Sequence, residues 1–282
     1  MTSLKITIDS IPRLDGKVAI ITVHILDIFK PSDEELAIPN LTYHACDISK
    51  WSDLLAVFKQ VGTVDFAFAN AGISETFDVF ADEFNEAGEL KEPNYPVLDV
   101  NLKSVLNFVK IAWSTMKRNG THGSIVITTS ATGYVPEQSL PVYAAGKAAL
   151  MNLIRALRSI TPLDNITING VAPAATVTRL LPSHLAAPII AQGLPVSSSE
   201  FVGLALVYSA TATQDRRVQA YGKEKDEEGS FKGRWNGRVI LTLGDQYTEI
   251  EEPLSRSREI WWGKRNLELT RAQQAVTDFR GM

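Results

Sequence analysis

The chain has a single cysteine, Cys46, among its 282 residues. No intrachain disulfide can form, and a cysteine-based zinc site is excluded; the sequence suggests no other metal centre. Basic residues are not in surplus: the formal net charge is −4, which argues against a nucleic-acid surface. Long apolar runs are missing too. The longest, Val18 to Phe29, is interrupted by His24 and Asp27 and falls well short of the roughly 20 residues that a membrane span needs. From Met1 to Asp15 no basic region leads into an apolar stretch, so a secretory signal is not expected and a cytoplasmic location is. No internal repeat is visible. What is present, 45% apolar and 21% charged residues, belongs to a globular chain with a large core, and excludes disorder, collagen and coiled coil.

Short β-branched runs recur at Lys17–Thr22, Val23–Asp27, Leu41–Ala45, Val64–Phe68, Ser124–Thr129, Ile166–Asn169 and Arg238–Leu243. Most are apolar on both faces, as buried parallel strands are. Helical patterns lie between them at Trp51–Val61, Pro96–Asn119, Pro141–Ile160 and Glu200–Ala212. The alternation predicts an α/β, doubly wound parallel sheet in one domain. Residues 16–250 form that domain, with 1–15 as an N-terminal extension and 251–282 as a tail. In the third helix Ala144, Ala145, Gly146, Ala148 and Ala149 permit close approach, either within the chain or at a subunit interface. The charged stretch Gln214–Trp235 reads as a solvated loop or frayed helix.

Tyr143 and Lys147 stand four apart on a predicted helix and therefore share a face. An ammonium beside a phenol favours the phenolate, as proton exchange with an alcohol or carbonyl requires. Spacing alone is weak, because Tyr221 and Lys225 repeat it in the charged stretch. Ser130 adds context: it follows a buried strand, at the strand end where open α/β sheets place their ligands. Asn70-Ala71-Gly72 follows another, and Asn101 lies inside the second helical pattern.

Together these residues resemble the short-chain dehydrogenase/reductase family, from about Leu14 to about Gly244. Asn70-Ala-Gly, Asn101, Ser130, Tyr143-x-x-x-Lys147 and Pro173 to Thr178 occur in family order and spacing. The resemblance implies a Rossmann-like fold and NAD(P)-dependent interconversion of a secondary alcohol and a ketone. Tyr143 would be the acid/base, Lys147 would lower its pKa and hold the nicotinamide ribose, and Ser130 would orient the substrate oxygen. Asn101 would hold a relay water through a local helix distortion. The NAD or NADP contacts would include Asp27, Asp47, Ile48, Asn70, Asn101, Tyr143, Lys147, Val177 and Thr178. The apolar segment Arg179–Pro195 would cover a hydrophobic small molecule, with His184 a surface or lid residue. The family also implies a homodimer or homotetramer, and Glu200–Asp245 looks most like the fungal branch.

One departure stands out. Family members follow the first strand with a glycine-rich turn and a helix whose N–H groups hold the cofactor pyrophosphate. Here Thr22 runs directly into Val23–Asp27, and no glycine occurs between Gly16 and Gly62. The Rossmann-like sheet is thus expected to be truncated at its first βαβ unit. Neighbouring parallel strands need a crossover of about a dozen residues, so the two segments must fuse or one must leave the sheet. Asp27 is then either a ribose-binding carboxylate or an ordinary strand-end acid. A second class of function stays open beside the first: a cofactor-free isomerase or cyclase, or a non-catalytic partner, on the same scaffold.

Overall fold

The computed structural model of the chain describes residues 2–12, 30–38, 40–224 and 232–280, with the backbone alone at 19–21. Besides short 3-10 turns, its first half contains β1 (Ser3–Leu4), β2 (Ala19–Ile21), α1 (Asp33–Leu36), α2 (Trp51–Val61), β3 (Phe66–Ala69), α3 (Pro96–Leu98), a π-turn (Asp99–Lys103), α4 (Ser104–Arg118) and β4 (Ser124–Thr128). Then come α5 (Pro141–Leu157), β5 (Thr167–Pro173), α6 (Ser183–Ala191), α7 (Ser199–Thr211), β6 (Thr213–Gln214), β7 (Gly233–Arg234), β8 (Val239–Leu243), β9 (Gln246–Glu249), α8 (Glu251–Arg256), α9 (Arg258–Trp262) and α10 (Lys264–Val276).

Seven strands form one sheet in the order β1-β9-β8-β5-β4-β3-β2. From β2 to β8 the neighbours are parallel, and β9 and β1 add an antiparallel edge. Alternate side chains leave opposite faces of a strand, and the sheet packs on both. Ala67, Ala69, Ile125, Ile127 and Ile168 meet Leu54, Phe58, Phe108, Leu150 and Ile154 from α2, α4 and α5. Phe66, Phe68, Val126, Val171 and Ile240 meet Val202 and Leu206 of α7, with Trp235 and Tyr247. This is a Rossmann-like α/β fold with helices on two faces, and among the described residues the sheet stops at β2.

Several details differ from the sequence expectations. Leu41–Ala45 is irregular rather than a strand and pairs with no strand among the described residues. Val23–Asp27, and with it Asp27, lies outside the described residues, as does Lys225. Within Gln214–Trp235 the described residues, 214–224 and 232–235, contain no helix, and the ends of the segment pair as β6 and β7. Trp235 is buried, with the Arg238 guanidinium 4.8 Å above its ring. Residues 1–15 supply β1 to the sheet edge. In the tail, Glu251 is buried and accepts Arg155 at 2.7 and 2.9 Å. Gly146 packs within the chain, since a Cβ there would meet Leu98 at 3.4 Å.

Candidate active site

The C-terminal ends of β3, β4 and β5 open into a cleft of about 1820 Å3, lined among others by Asn70, Ser130, Tyr143, Lys147, Asp47, Ile48 and Thr178. Each side chain arrives there for a local reason. The chain leaves β4 at Ser130, whose hydroxyl caps the next turn, accepting from the Thr132 N–H at 3.2 Å and the Thr132 hydroxyl at 2.9 Å. Pro141 starts α5, as suits a first helical turn, and Tyr143 and Lys147 follow on one face. The Lys147 Nζ stands 5.6 Å from the Tyr143 ring centre and donates to the Thr128 carbonyl at 2.8 Å.

Asn101 does not lie mid-way along a regular helix. The expected helix Pro96–Asn119 is broken by the π-turn Asp99–Lys103, within which Asn101 sits 1% exposed. The Ser104 hydroxyl donates to the Val100 carbonyl inside this turn. Asn101 is behind the cleft wall: its Oδ1 accepts the Ile73 N–H at 2.8 Å, and its Nδ2 donates to the Ile73 carbonyl at 2.7 Å. Gly72 fits in front of it. A Cβ on Gly72 would meet Asn101 Oδ1 at 3.1 Å and Lys147 Nζ at 3.9 Å.

Burial governs the protonation of the pair. Lys147 is 4% exposed, and desolvation brings its pKa down from 10.5 to about 8. Desolvation pushes the Tyr143 phenol up, and the Ser130 hydroxyl draws it partly back. In the protein alone, therefore, burial outweighs the lowering of the phenol pKa that its lysine neighbour was expected to produce. Asp47 is held below the usual carboxylate range, chiefly by the Ser49 hydroxyl at 2.7 Å.

The remaining expected contacts divide. Asn70 Oδ1 accepts the Thr128 hydroxyl at 2.7 Å at the cleft edge. Val177 lies off the wall, its N–H bonded to the Ser197 carbonyl at 3.2 Å. The Thr178 hydroxyl accepts from the N–H groups of Leu180 and Leu181, at 3.2 and 3.4 Å. Arg179, Leu180 and Leu181 line the cleft, and His184 does not. Ile250, at the end of the expected domain, and Pro253 and Leu254 of the tail complete an apolar wall; no signal in the sequence marks these, because nothing local shows where a tail folds back.

The nicotinamide-ribose half of a dinucleotide fits the residues present: Lys147 has ammonium donors beyond its bond to Thr128, and Asn70 and Tyr143 stand near it. No glycine-rich turn for the pyrophosphate stands among the described residues, and residues 22–29, which follow β2, lie outside them. The cleft is also lined by Pro31 and Glu35, and α1 is a single turn whose N-terminus carries Asp33, Glu34 and Glu35. Its Ser32 is already engaged by Glu35, at 2.8 and 2.9 Å.

A sheet with this strand order, and a serine, tyrosine and lysine at its C-terminal edge, defines a Rossmann-like scaffold with acid–base groups. Comparison with known proteins narrows the class. Residues 30–187 match the family model described as short chain dehydrogenase. The chain is 50% identical over 299 residues to the short-chain dehydrogenase/reductase prx4 of Penicillium roqueforti, covering 99% of this chain and 90% of that one. It is 47% identical over 307 residues to the short-chain dehydrogenase/reductase ATR7 of Stachybotrys chlorohalonatus, covering 99% and 95%. The crystal structure of gox2181 aligns with a TM-score of 0.51 at 21% identity, over 63% of this chain and 72% of that one, and shows likeness of fold. The chain belongs to the short-chain dehydrogenase/reductase family, an oxidoreductase family, and these two near-full-length relatives are fungal. Both alignments are longer than this chain's 282 residues, so the relatives carry residues with no counterpart here. No helix among the described residues is long and apolar enough to cross a membrane.

Proposed function

We propose that the chain interconverts a secondary alcohol and a ketone on a hydrophobic small molecule, with NAD or NADP as hydride carrier. Bound in the cleft, the nicotinamide would supply or accept the hydride. Tyr143 exchanges the proton with the substrate oxygen, Ser130 orients that oxygen, and Lys147 holds the ribose and supports the phenolate. Asn101 acts from behind the wall by fixing Ile73. The observation that carries this reading is the convergence of Ser130, Tyr143 and Lys147 on one cleft. Its apolar side, with Leu180, Leu206, Leu241 and Leu254, suits a lipophilic substrate.

One observation favours a second reading, proton transfer without a hydride carrier: the acidic turn α1, with Asp33, Glu34 and Glu35, brings Glu35 to the cleft. Calorimetric titration with NADH and NADPH separates the two. Saturable micromolar binding that Lys147→Ala abolishes supports the oxidoreductase, and absence of heat with either cofactor supports the cofactor-free reading. Light scattering of the same sample tests the proposed homodimer or homotetramer.

A further inference from the structure

The segment Asn70–Glu75 is tied to three elements of the site. Asn70 Oδ1 accepts the Thr128 hydroxyl at the end of β4, at 2.7 Å. The Ile73 N–H donates to Asn101 Oδ1 of the π-turn at 2.8 Å, and the Ile73 carbonyl accepts Asn101 Nδ2 at 2.7 Å. Glu75 Oε2 accepts the backbone N–H of Tyr143 itself, at 2.7 Å, from 68 residues away.

The third tie fills a gap in α5. A helix leaves its first N–H groups without intrahelical partners, and an oxygen at the N-cap normally accepts one from the second or third residue. Here the N-cap is Leu140, which has no such oxygen, and Pro141 has no N–H to offer. Tyr143 is the third residue of the helix, and a carboxylate from a distant loop takes the missing role. The carboxylate also lies at the positive end of the helix dipole. Glu75 is half-buried and touches the backbone of Tyr143 rather than its ring.

We infer that Glu75 is a positioning residue: it caps the catalytic helix from the neighbouring loop, and so fixes Tyr143 relative to Ser130 and to the Asn101-anchored strap. The inference rests on Tyr143 being the acid/base, but its geometric content stands without turnover. Without the cap, the first turn of α5 loosens, water reaches the phenol, and burial no longer holds its pKa up. Lys147, one turn further in and bonded to Thr128, stays in place.

The test reads Tyr143 directly and needs neither substrate nor cofactor. Tyrosine is labelled with carbon-13 at Cζ, the Tyr143 resonance is assigned with Tyr143→Phe, and its titration is followed in the wild type, Glu75→Ala and Glu75→Gln. In Glu75→Ala the titration midpoint moves down towards the ordinary phenol value. The Tyr143 amide exchanges about tenfold faster, as loss of a cap predicts. Glu75→Gln, which keeps an acceptor oxygen, restores both. If Glu75→Ala does not fold, Glu75→Asp draws the acceptor back by one methylene and is expected to show the same downward move. Unchanged titration and exchange in Glu75→Ala or Glu75→Asp would overturn the inference, as would a Gln variant as disturbed as the Ala one. Either failure leaves the oxidoreductase reading standing, because that reading is tested by cofactor binding.

Discussion

Replacing Lys147 by methionine is expected to stabilise the fold at neutral pH. The ammonium is 4% exposed and accepts its burial at the expense of its charge, its pKa falling from 10.5 to about 8. At 1.36 kcal/mol per pKa unit, that difference corresponds to about 3 kcal/mol of instability at pH 7. Methionine fills much the same volume without a charge. It also leaves the Thr128 carbonyl, now accepting at 2.8 Å, without its donor, at about 1 to 3 kcal/mol. The net gain at pH 7 is therefore about 0 to 2 kcal/mol, and the pH dependence is the sharper signature. The folded-state pKa is depressed, so the unfolded chain binds more protons between pH 8 and 10.5. Wild-type stability must then rise relative to Lys147→Met across that window and level off above it. Urea unfolding followed by tryptophan fluorescence, at steps from pH 7 to 10.5, measures the difference. A difference that stays constant with pH would refute the reasoning, since no penalty on the buried ammonium would then exist.

Other expectations follow from the same structure. Glu251→Ala leaves the guanidinium groups of Arg155 and Arg158, and the Tyr134 hydroxyl at 2.7 Å, without their buried acceptor; thermal and urea unfolding should show a loss of about 3 to 5 kcal/mol. Burial raises the Cys46 thiol to about 11, so its alkylation by iodoacetamide at pH 8 should be slow in the folded chain and fast in urea, as mass spectrometry would record. Gly72→Ala brings a Cβ to 3.1 Å from Asn101 Oδ1; faster amide exchange at Ile73, with little change in global stability, is the expected result.

The sheet was largely legible because its strands are apolar on both faces. Ser124–Thr128 and Trp51–Val61 fall where periodicity put them, and Ser130, Tyr143 and Lys147 meet as spacing and family order suggested. What escaped depends on partners far away in sequence. Leu41–Ala45 has the composition of a strand, yet pairing is a property of two segments and no described strand borders it. The π-turn leaves no mark on hydrophobic periodicity, since one extra residue within a helix shifts a face without erasing it, and only the family resemblance implied a helix distortion at Asn101. Glu75 looks like any loop acid until the fold carries it to the Tyr143 N–H. Nothing in the sequence pairs Arg155 and Arg158 with Glu251, and only the folded-back tail buries the carboxylate between them.

Isotope transfer probes whether proton transfer at Tyr143 is coupled to hydride transfer. NADH and NADPH, deuterated at the hydride position, are incubated with the chain and a panel of lipophilic cyclic ketones including α-tetralone. Deuterium is expected at the carbinol carbon of the product, with a fall of at least about 100-fold in its formation in Tyr143→Phe. An alcohol formed without label, or formed equally well by the phenylalanine variant, would contradict that coupling.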